Sequence, residues 1–174
     1  MMVRENIILT GFMGTGKTTV GKLLARRLGY EFIDTDELIA SRAGQRIPDI
    51  FQTKGEAAFR EMESAIAREL GSQEGKVIST GGRLMLDPEN AETLGRTGRV
   101  FCLSAPPEEI MKRVTSDPAT QRPLLTVPNP LKRVEALLEQ RQLDYARFPQ
   151  IDTNEKTPDQ VVNTIVAILN EAPL

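Results

Sequence analysis

A glycine-rich motif near the start of the chain limits the possible folds more than any other feature. Residues 11–18 read GFMGTGKT and match the pattern G-x-x-x-x-G-K-[ST]. An apolar run, Ile7-Ile8-Leu9, precedes the motif, and apolar residues at helical spacing follow it from Val20 to Leu28. A turn between a strand and a helix brings backbone N–H groups and the helix N-terminus onto a phosphate. The motif therefore predicts a site for a nucleoside triphosphate.

The residue types within this loop have separate tasks. Glycines allow the backbone to turn around the phosphate oxygens, Lys17 reaches the β- and γ-phosphates, and the Thr18 hydroxyl can ligate Mg²⁺. We therefore expect a nucleoside triphosphate as co-substrate and Mg²⁺ as cofactor. The residues assigned to nucleotide binding here are Gly14, Thr15, Gly16, Lys17, Thr18 and Thr19.

Short apolar runs alternate with longer segments of helical period along the rest of the chain. The runs lie at residues 7–9, 31–33, 77–80 and 100–103. The final helix opens with Thr157-Pro158-Asp159-Gln160, a hydroxyl N-cap with proline and glutamine at favourable positions. Strands that alternate with helices predict an α/β fold with a mostly parallel sheet covered on both faces. We expect one domain over residues 1–174.

A proline-rich segment interrupts this alternation between residues 115 and 130. Its four prolines, at positions 118, 123, 128 and 130, exclude a continuous helix and favour a mobile lid loop. Arg122 lies inside it and would meet the transferring phosphate on a closing lid, as an arginine finger does. The alternatives are a passive surface connection and a solvated arginine.

Two aspartates, Asp34 and Asp36, follow the second predicted strand. Because the C-terminal ends of parallel strands line the ligand crevice, both carboxylates are expected near the phosphate loop. Asp34 would lie closer to Mg²⁺ and its water shell, whereas Asp36 would accept hydrogen bonds from a substrate hydroxyl and act as its base. The alternative is that Asp36 caps the helix that follows.

Charged residues also interrupt two predicted apolar helix faces. Glu63 falls on the inward stripe of one helix and Arg60, three residues earlier, can pair with it and so be held for an anionic ligand. Arg141 falls on the apolar face that includes Val134 and Tyr145, and a substrate carboxylate would satisfy its charge. The alternatives are a surface ion pair for Arg60 and an inter-helix salt bridge for Arg141.

Composition excludes several other kinds of chemistry. The chain has no histidine and one cysteine, so a Cys/His zinc site, a histidine base and an internal disulfide are impossible. The net charge of −2 gives no global attraction to nucleic acid or to an anionic membrane. The N-terminus lacks the pattern of a signal peptide, and no apolar run approaches the roughly 18 residues of a membrane helix. We expect a soluble, cytoplasmic monomer.

Taken in chain order, the motifs resemble those of the shikimate kinases over about residues 5–170. The matching positions are the phosphate loop, Asp34-Thr35-Asp36, Phe59-Arg60 with Glu63, Gly81-Gly82, Arg122-Pro123-Leu124-Leu125, and Arg141 with Tyr145. The resemblance implies a three-layer P-loop kinase fold with a five-stranded parallel sheet, flanking helices and a lid. It also implies transfer of phosphate from ATP to the 3-hydroxyl of shikimate, on the route to chorismate and the aromatic amino acids.

The resemblance assigns roles to individual residues of this chain. Asp36 resembles the aspartate that binds substrate hydroxyls and prepares the 3-hydroxyl, and Arg60 and Arg141 resemble the pair that holds the shikimate carboxylate. Gly82 resembles a glycine whose backbone contacts the substrate. Thr18 resembles the Mg²⁺ ligand, with Asp34 acting through water, and the remaining resemblances are Arg122 to the lid arginine and Arg113 and Pro158 to the residues around adenine.

The chain departs from the family pattern at Arg83, where a third consecutive glycine is usual. If the backbone there needed a positive φ, the arginine would cost about a kcal/mol or more in strain. This departure leaves open another small-molecule kinase of the same fold, for gluconate or a nucleotide, and a kinase-like module that binds a ligand without turnover. We expect a locally basic pocket for two anionic substrates.

Overall fold

Five parallel strands form the sheet at the centre of the protein in the computed structural model, which describes residues 4–116 and 126–171. The strand order is β2-β3-β1-β4-β5, with every neighbouring pair parallel. The predicted α/β fold with a five-stranded parallel sheet is confirmed. The strands are β1 (Asn6–Gly11), β2 (Glu31–Asp34), β3 (Lys76–Ser79), β4 (Gly98–Ser104) and β5 (Gln150–Asp152).

Helices follow the strands and cover both faces of the sheet. Within the described residues they are α1 (Lys17–Leu28), α2 (Thr35–Ala43), α3 (Ile47–Gly71), α4 (Pro88–Gly95), α5 (Pro107–Thr115), α6 (Pro130–Tyr145) and α7 (Pro158–Glu171), with a short 3-10 helix at Leu84–Leu86. The greater part of the predicted lid, including Arg122, lies outside the described residues.

Alternation along β1 explains the three layers. Leu9 points into a buried cluster with residues of α1 and α7, whereas its neighbour Ile8 points into a cluster with residues of α3 and α4. Successive side chains of a strand face opposite sides, so one apolar strand supplies two cores. A third cluster, around Phe12, Val134 and Tyr145, seats α6 beside the end of β1.

The central strand β1 has β3 on one side and β4 on the other. The chain leaves β1 through α1 on one face of the sheet and enters β4 through α4 on the opposite face. In open parallel sheets such a switch point leaves a crevice at the C-terminal ends of the strands. The glycine-rich loop follows β1 directly, so the fold places it in this crevice.

Local capping fixes where two of the helices begin. Asp34 caps α2, because its Oδ1 accepts hydrogen bonds from the backbone N–H groups of Asp36 (3.0 Å) and Glu37 (3.2 Å). The suggestion that Asp36 is the cap is therefore wrong. The predicted capping box of α7 is present, since Thr157 Oγ1 accepts from Gln160 N–H at 3.3 Å and Gln160 Oε1 from Thr157 N–H at 2.8 Å.

A kink divides α3 into two helical halves. Gly55 has φ 84° and ψ 169°, a conformation that glycine adopts and other residues avoid. The second half begins at Glu56 and contains Arg60 and Glu63. The kink therefore decides the direction in which these charged side chains project.

None of the helices within residues 4–116 and 126–171 is both long and apolar enough to span a membrane.

Candidate active site

The loop between β1 and α1 has the backbone of a phosphate cradle. Gly14 (φ 75°) and Gly16 (φ 101°) both lie in the left-handed region that favours glycine. Thr15 is buried, and its hydroxyl donates to the Phe12 carbonyl oxygen at 2.7 Å, which closes the turn. Thr19, on the exposed side of α1, completes the segment assigned to nucleotide binding.

The Lys17 ammonium lies against this loop. Its Nζ donates to the carbonyl oxygens of Gly11 at 2.8 Å and Phe12 at 2.9 Å. These bonds hold a positive charge at the place where the glycine-rich backbone can receive phosphate oxygens. The arrangement suits an anion with several oxygens.

Thr18 and Asp34 bring two oxygen donors together next to the loop. Thr18 Oγ1 lies 3.1 Å from Asp34 Oδ2, and this contact joins the first turn of α1 to the end of β2. Among the described residues, no group of three or more His, Cys, Asp or Glu could hold a metal ion. Mg²⁺ typically needs only one or two protein oxygens when phosphates and water supply the rest, so this pair fits Mg²⁺.

Asp36 lies in the first turn of α2 and packs against the loop after β3. A Cβ built on Gly81 would lie only 2.7 Å from Asp36 Oδ1, so the absence of a side chain at Gly81 makes room for the carboxylate. Burial raises the pKa of Asp36, and the negative charge of Asp34 raises it further, against the opposing charges of Lys17 and Arg60. A carboxylate with a raised pKa beside a phosphate site is suited to proton transfer.

Arg60 is held from two sides by carboxylates of its own helix. Its Nη1 donates to Glu63 Oε2 at 2.7 Å, and its Nε and Nη2 lie 3.4 and 3.3 Å from Glu56 Oε1. Glu63 is only 2% exposed, and burial raises its pKa while the Arg60 bond opposes that shift. The pair with Glu63 is therefore not the surface ion pair considered above.

Arg141 projects from α6 toward the phosphate loop. Its guanidinium lies over the Phe12 ring at 5.3 Å, and its positive charge opposes the rise that burial causes in the pKa of Tyr145. It forms no ion pair with a carboxylate among residues 4–116 and 126–171. The alternative of an inter-helix salt bridge is thus not found within that part of the chain, and the charge is available for an anionic ligand.

The Gly81-Gly82 segment connects these groups. A Cβ built on Gly82 would lie 3.6 Å from Arg141 Nη1 and 3.9 Å from the Gly11 carbonyl oxygen, while Gly81 touches Asp36. Asp36 and Arg141 therefore lie on either side of this segment, beside the phosphate loop.

Arg83 adopts an ordinary backbone conformation, with φ −116° and ψ −10°. The strain considered for an arginine at this position is absent, because the backbone does not need a positive φ. The side chain instead turns toward α3, where Nη1 donates to Glu56 Oε1 at 3.0 Å.

A cavity of about 1190 Å³ opens between α3, the 3-10 helix and α6. The predicted excess of basic residues is not found in its lining, where the described arginines are matched by an equal number of carboxylates. The charged lining residues are Arg60, Arg83, Arg133 and Arg141 with Glu56, Glu63, Asp87 and Asp144. Arg60 and Arg83 pair with Glu56 or Glu63, whereas Arg133 and Arg141 form no ion pair within the described part of the chain.

Arg113 lies on the other side of the phosphate loop. Its Nη1 donates to the Gly14 carbonyl oxygen at 3.3 Å, and its Nη2 to the Thr153 carbonyl oxygen at 2.8 Å. Its Nε donates to Glu109 Oε1 at 2.9 Å, so the hydrogen-bonding edge of the guanidinium is occupied by the protein. Pro158 is the exposed first residue of α7.

Comparison with known proteins decides the family. The model of the shikimate kinase family matches residues 13–170. The curated shikimate kinase of Geobacter sulfurreducens is 46% identical over 96% of this chain and 92% of its own length. The chain belongs to the shikimate kinase family.

Solved shikimate kinases share the whole fold. The enzyme from Acinetobacter baumannii, solved in complex with shikimate, is 36% identical with a TM-score of 0.88, over 98% of this chain and 96% of that one. The enzyme from Aquifex aeolicus is 34% identical with a TM-score of 0.79, over 95% and 96%. A gluconokinase from Sinorhizobium meliloti, 18% identical with a TM-score of 0.62, shares the fold alone.

Shikimate kinases use ATP as co-substrate, which agrees with the phosphate loop of this chain. Sequence reasoning missed several supporting contacts of the site. Thr35 Oγ1 accepts from the Gly81 N–H at 2.9 Å, and Thr153 Oγ1 donates to the Thr15 carbonyl oxygen at 3.1 Å. Thr35 stands between the two aspartates, which was an available signal, whereas nothing near Thr153 in the sequence points to the loop.

Proposed function

We propose that this protein transfers the γ-phosphoryl group of ATP to the 3-hydroxyl of shikimate. The observation that supports this most directly is the Gly81-Gly82 segment, which touches Asp36 on one side and faces Arg141 and the phosphate loop on the other. A small acceptor with a carboxylate at one end and hydroxyls at the other would fit between Arg141 and Asp36. Because the chain belongs to the shikimate kinase family, we infer that this acceptor is shikimate.

Arg60 and Arg141 would hold the shikimate carboxylate. Arg60 is oriented by the buried Glu63, and Arg141 lacks a carboxylate partner among the described residues. A fixed guanidinium can bind a carboxylate through two parallel hydrogen bonds, which also orients the ring. The Gly82 backbone would lie along the substrate, since the position has no side chain.

Asp36 would accept the proton of the reacting hydroxyl. Its carboxylate lies within the electrostatic reach of both Lys17 and Arg60, so it stands between the phosphate site and the carboxylate site. Because phosphoryl transfer depends mainly on positioning and on stabilising charge, a correctly placed carboxylate and a fixed Lys17 are the main requirements.

The nucleotide would bind along the loop from Gly14 to Thr19, with Lys17 at the β- and γ-phosphates. Thr18 would ligate Mg²⁺ directly and Asp34 through water, and the ion would neutralise phosphate charge when bound. The face of Arg113 and the ring of Pro158 would enclose adenine. Arg122 would reach the phosphates from a lid at about residues 115–130.

We further propose that residues 1–174 act as one cytoplasmic domain and as a monomer, without nucleic acid or membrane partners. The net charge of −2 supports the last part of this proposal, because it gives no general attraction to polyanions or to anionic lipid. Sedimentation of the purified protein at two concentrations tests the monomer, because a dimer would double the sedimenting mass.

The function is tested by a panel of acceptors offered with ATP and Mg²⁺. Shikimate, gluconate and a nucleoside monophosphate are compared by ADP release and by phosphorus NMR of the product. We expect turnover with shikimate alone and a phosphate ester at its 3-hydroxyl. Folded protein that binds shikimate without releasing ADP would instead indicate a ligand-binding module, and turnover with another acceptor would identify a different kinase.

A further inference from the structure

Arg83 is tied to α3 through a carboxylate that Arg60 also uses. Glu56 Oε1 accepts from Arg83 Nη1 at 3.0 Å and from the Nε and Nη2 of Arg60 at 3.4 and 3.3 Å. One oxygen is therefore shared by two guanidiniums, and the bond to Arg83 is the shorter. All three side chains line the 1190 Å³ cavity.

The backbone fixes this shared contact. Glu56 is the first residue after the kink at Gly55, and Arg60 follows one helical turn later. Arg83 comes from the loop after β3, 27 residues further along the chain, so the ion pair joins two separate walls of the cavity. The side chains of Glu56 and Arg83 are about half exposed, at 57% and 51%, so each is free to change partner.

Glu56 occupies the edge of Arg60 that a substrate carboxylate would need. Arg60 uses Nη1 for the buried Glu63, which leaves the Nε–Nη2 edge for bidentate binding of an anion. Glu56 approaches that edge with one oxygen, as a competing carboxylate would. Without a second cation such as Arg83, the two negative charges of Glu56 and Glu63 would exceed the single positive charge of Arg60, and a substrate carboxylate would be repelled.

We propose that Arg83 is a positioning residue that competes with Arg60 for Glu56, so that the substrate carboxylate can displace Glu56 from the Nε–Nη2 edge of Arg60. The proposal rests on the function proposed above. It explains why an arginine at this position suits the chain, because the charge of Arg83 offsets that of Glu56. The Arg83 side chain acts on the substrate through Glu56 and Arg60.

A double-mutant cycle between Arg83 and Glu56 tests the coupling. Arg83→Met is expected to raise the KM and Kd for shikimate about threefold to fivefold, the range of an exposed ion pair, with most of the change in KM and little in kcat. In the Glu56→Gln background the competing carboxylate is gone, so the same Arg83→Met change should alter KM by less than about twofold. Arg83→Lys keeps the charge and should keep the wild-type KM within about twofold.

Controls separate this effect from a general loss of surface charge. Arg96→Met removes an arginine of another exposed pair, with Glu92, outside the cavity, and should leave KM unchanged. Thermal unfolding of each variant confirms that it is folded, and calorimetric titration with shikimate gives Kd without turnover.

Two results would overturn the proposal while the wild-type enzyme remained active on shikimate. One is an unchanged KM in Arg83→Met. The other is an equal rise in KM in the wild-type and Glu56→Gln backgrounds, which would mean that Arg83 contacts the substrate itself. A wild-type protein that neither binds nor phosphorylates shikimate would instead overturn the proposed function, and the inference with it.

Discussion

The Tyr145 hydroxyl on α6 donates a hydrogen bond to the Gly82 carbonyl oxygen at 2.6 Å. Tyr145 is 7% exposed, and burial raises its pKa, so the hydroxyl remains a donor at neutral pH. Arg141 lies beside the same loop position, because a Cβ built on Gly82 would lie 3.6 Å from Arg141 Nη1 and 4.0 Å from the Tyr145 hydroxyl. One phenol therefore joins the helix that carries Arg141 to the loop that contacts Asp36, and it sets the distance between the two ends of the proposed substrate site.

Tyr145→Phe should loosen this connection without creating a cavity. The Gly82 carbonyl would lose its donor in a partly buried place, which costs about 1 to 2 kcal/mol in the free energy of unfolding. We expect the KM for shikimate to rise at least about threefold, because this hydrogen bond joins α6, which carries Arg141, to the Gly82 loop. Denaturant unfolding and steady-state kinetics measure both effects. Tyr30→Phe, which removes the hydroxyl of the chain's other tyrosine, is the matched control. An equal loss in both variants would contradict a specific role for Tyr145.

The two glycines of the same loop should respond differently to alanine. At Gly82 the new Cβ would meet its nearest neighbours at 3.6 Å or more, and the backbone φ is not positive, so folding should be nearly unaffected. At Gly81 the Cβ would lie 2.7 Å from Asp36 Oδ1, so the carboxylate must move. Gly82→Ala should therefore mainly raise the KM for shikimate, and Gly81→Ala should lower kcat about tenfold or more. Equal kinetic effects of the two changes would contradict this assignment.

The sequence sufficed for the fold because its signals are local. The apolar runs before Gly11 and Asp34 predict buried strands, and the glycine-rich loop requires a strand before it and a helix after it. The structure has both, and α1 begins at Lys17, within the glycine-rich motif. The apolar runs did not predict the short strand β5, because only Ile151 of its three residues is buried.

The site was harder to predict where it depends on contacts distant in sequence. A charge on an apolar helix face predicted that Glu63 and Arg141 turn inward, and both line the cavity between α3 and α6. No sequence pattern indicates that Arg83 meets Glu56, because the contact depends on the direction of α3 after Gly55. The capping role of Asp34 was missed because Asp34 and Asp36 both stand near the start of α2, and backbone geometry alone distinguishes them.

Lys17→Ala should remove turnover while sparing shikimate binding. The ammonium is held by the Gly11 and Phe12 carbonyl oxygens at the phosphate loop, so its charge would lie beside the transferring group, where negative charge develops. We expect kcat to fall about 10²- to 10³-fold, the usual range for loss of one such group. Lys22→Ala, an exposed lysine of the same helix, is the control and should keep the wild-type rate. Retained turnover in Lys17→Ala would remove it from the catalytic set.

Arg141→Ala should raise the Kd for shikimate more than it lowers kcat. The guanidinium contacts Phe12 and Tyr145 and has no carboxylate partner among the described residues, so a bound carboxylate would contribute about 1.5 to 3 kcal/mol. That range corresponds to a Kd for shikimate raised by about 10-fold or more. Calorimetry measures it, with ATP binding by the same variant as the internal control. An unchanged Kd for shikimate would show that Arg141 does not hold the substrate.

Asp36→Asn should raise the free energy of unfolding at pH 7, although it lowers kcat. Burial and the charge of Asp34 raise the pKa of Asp36 above its ordinary 3.8, so the folded protein holds a carboxylate that is less favourable there than in the unfolded chain. The asparagine variant should therefore be more stable than the wild type at pH 7. This advantage should shrink as the pH falls through the raised pKa toward 3.8, because the wild-type carboxyl then becomes neutral. Denaturant unfolding at several pH values measures the difference.

Asp36→Asn should also slow catalysis. If Asp36 is the base, kcat should fall about 10²- to 10⁴-fold in Asp36→Asn. The wild-type rate should fall as the pH drops through the raised pKa of Asp36, and this limb of the pH–rate profile should be absent from the residual activity of the variant. Glu61→Gln, which removes an exposed carboxyl of α3, is the control and should change neither profile. An acid limb that persists in Asp36→Asn would assign the essential carboxylate to another residue.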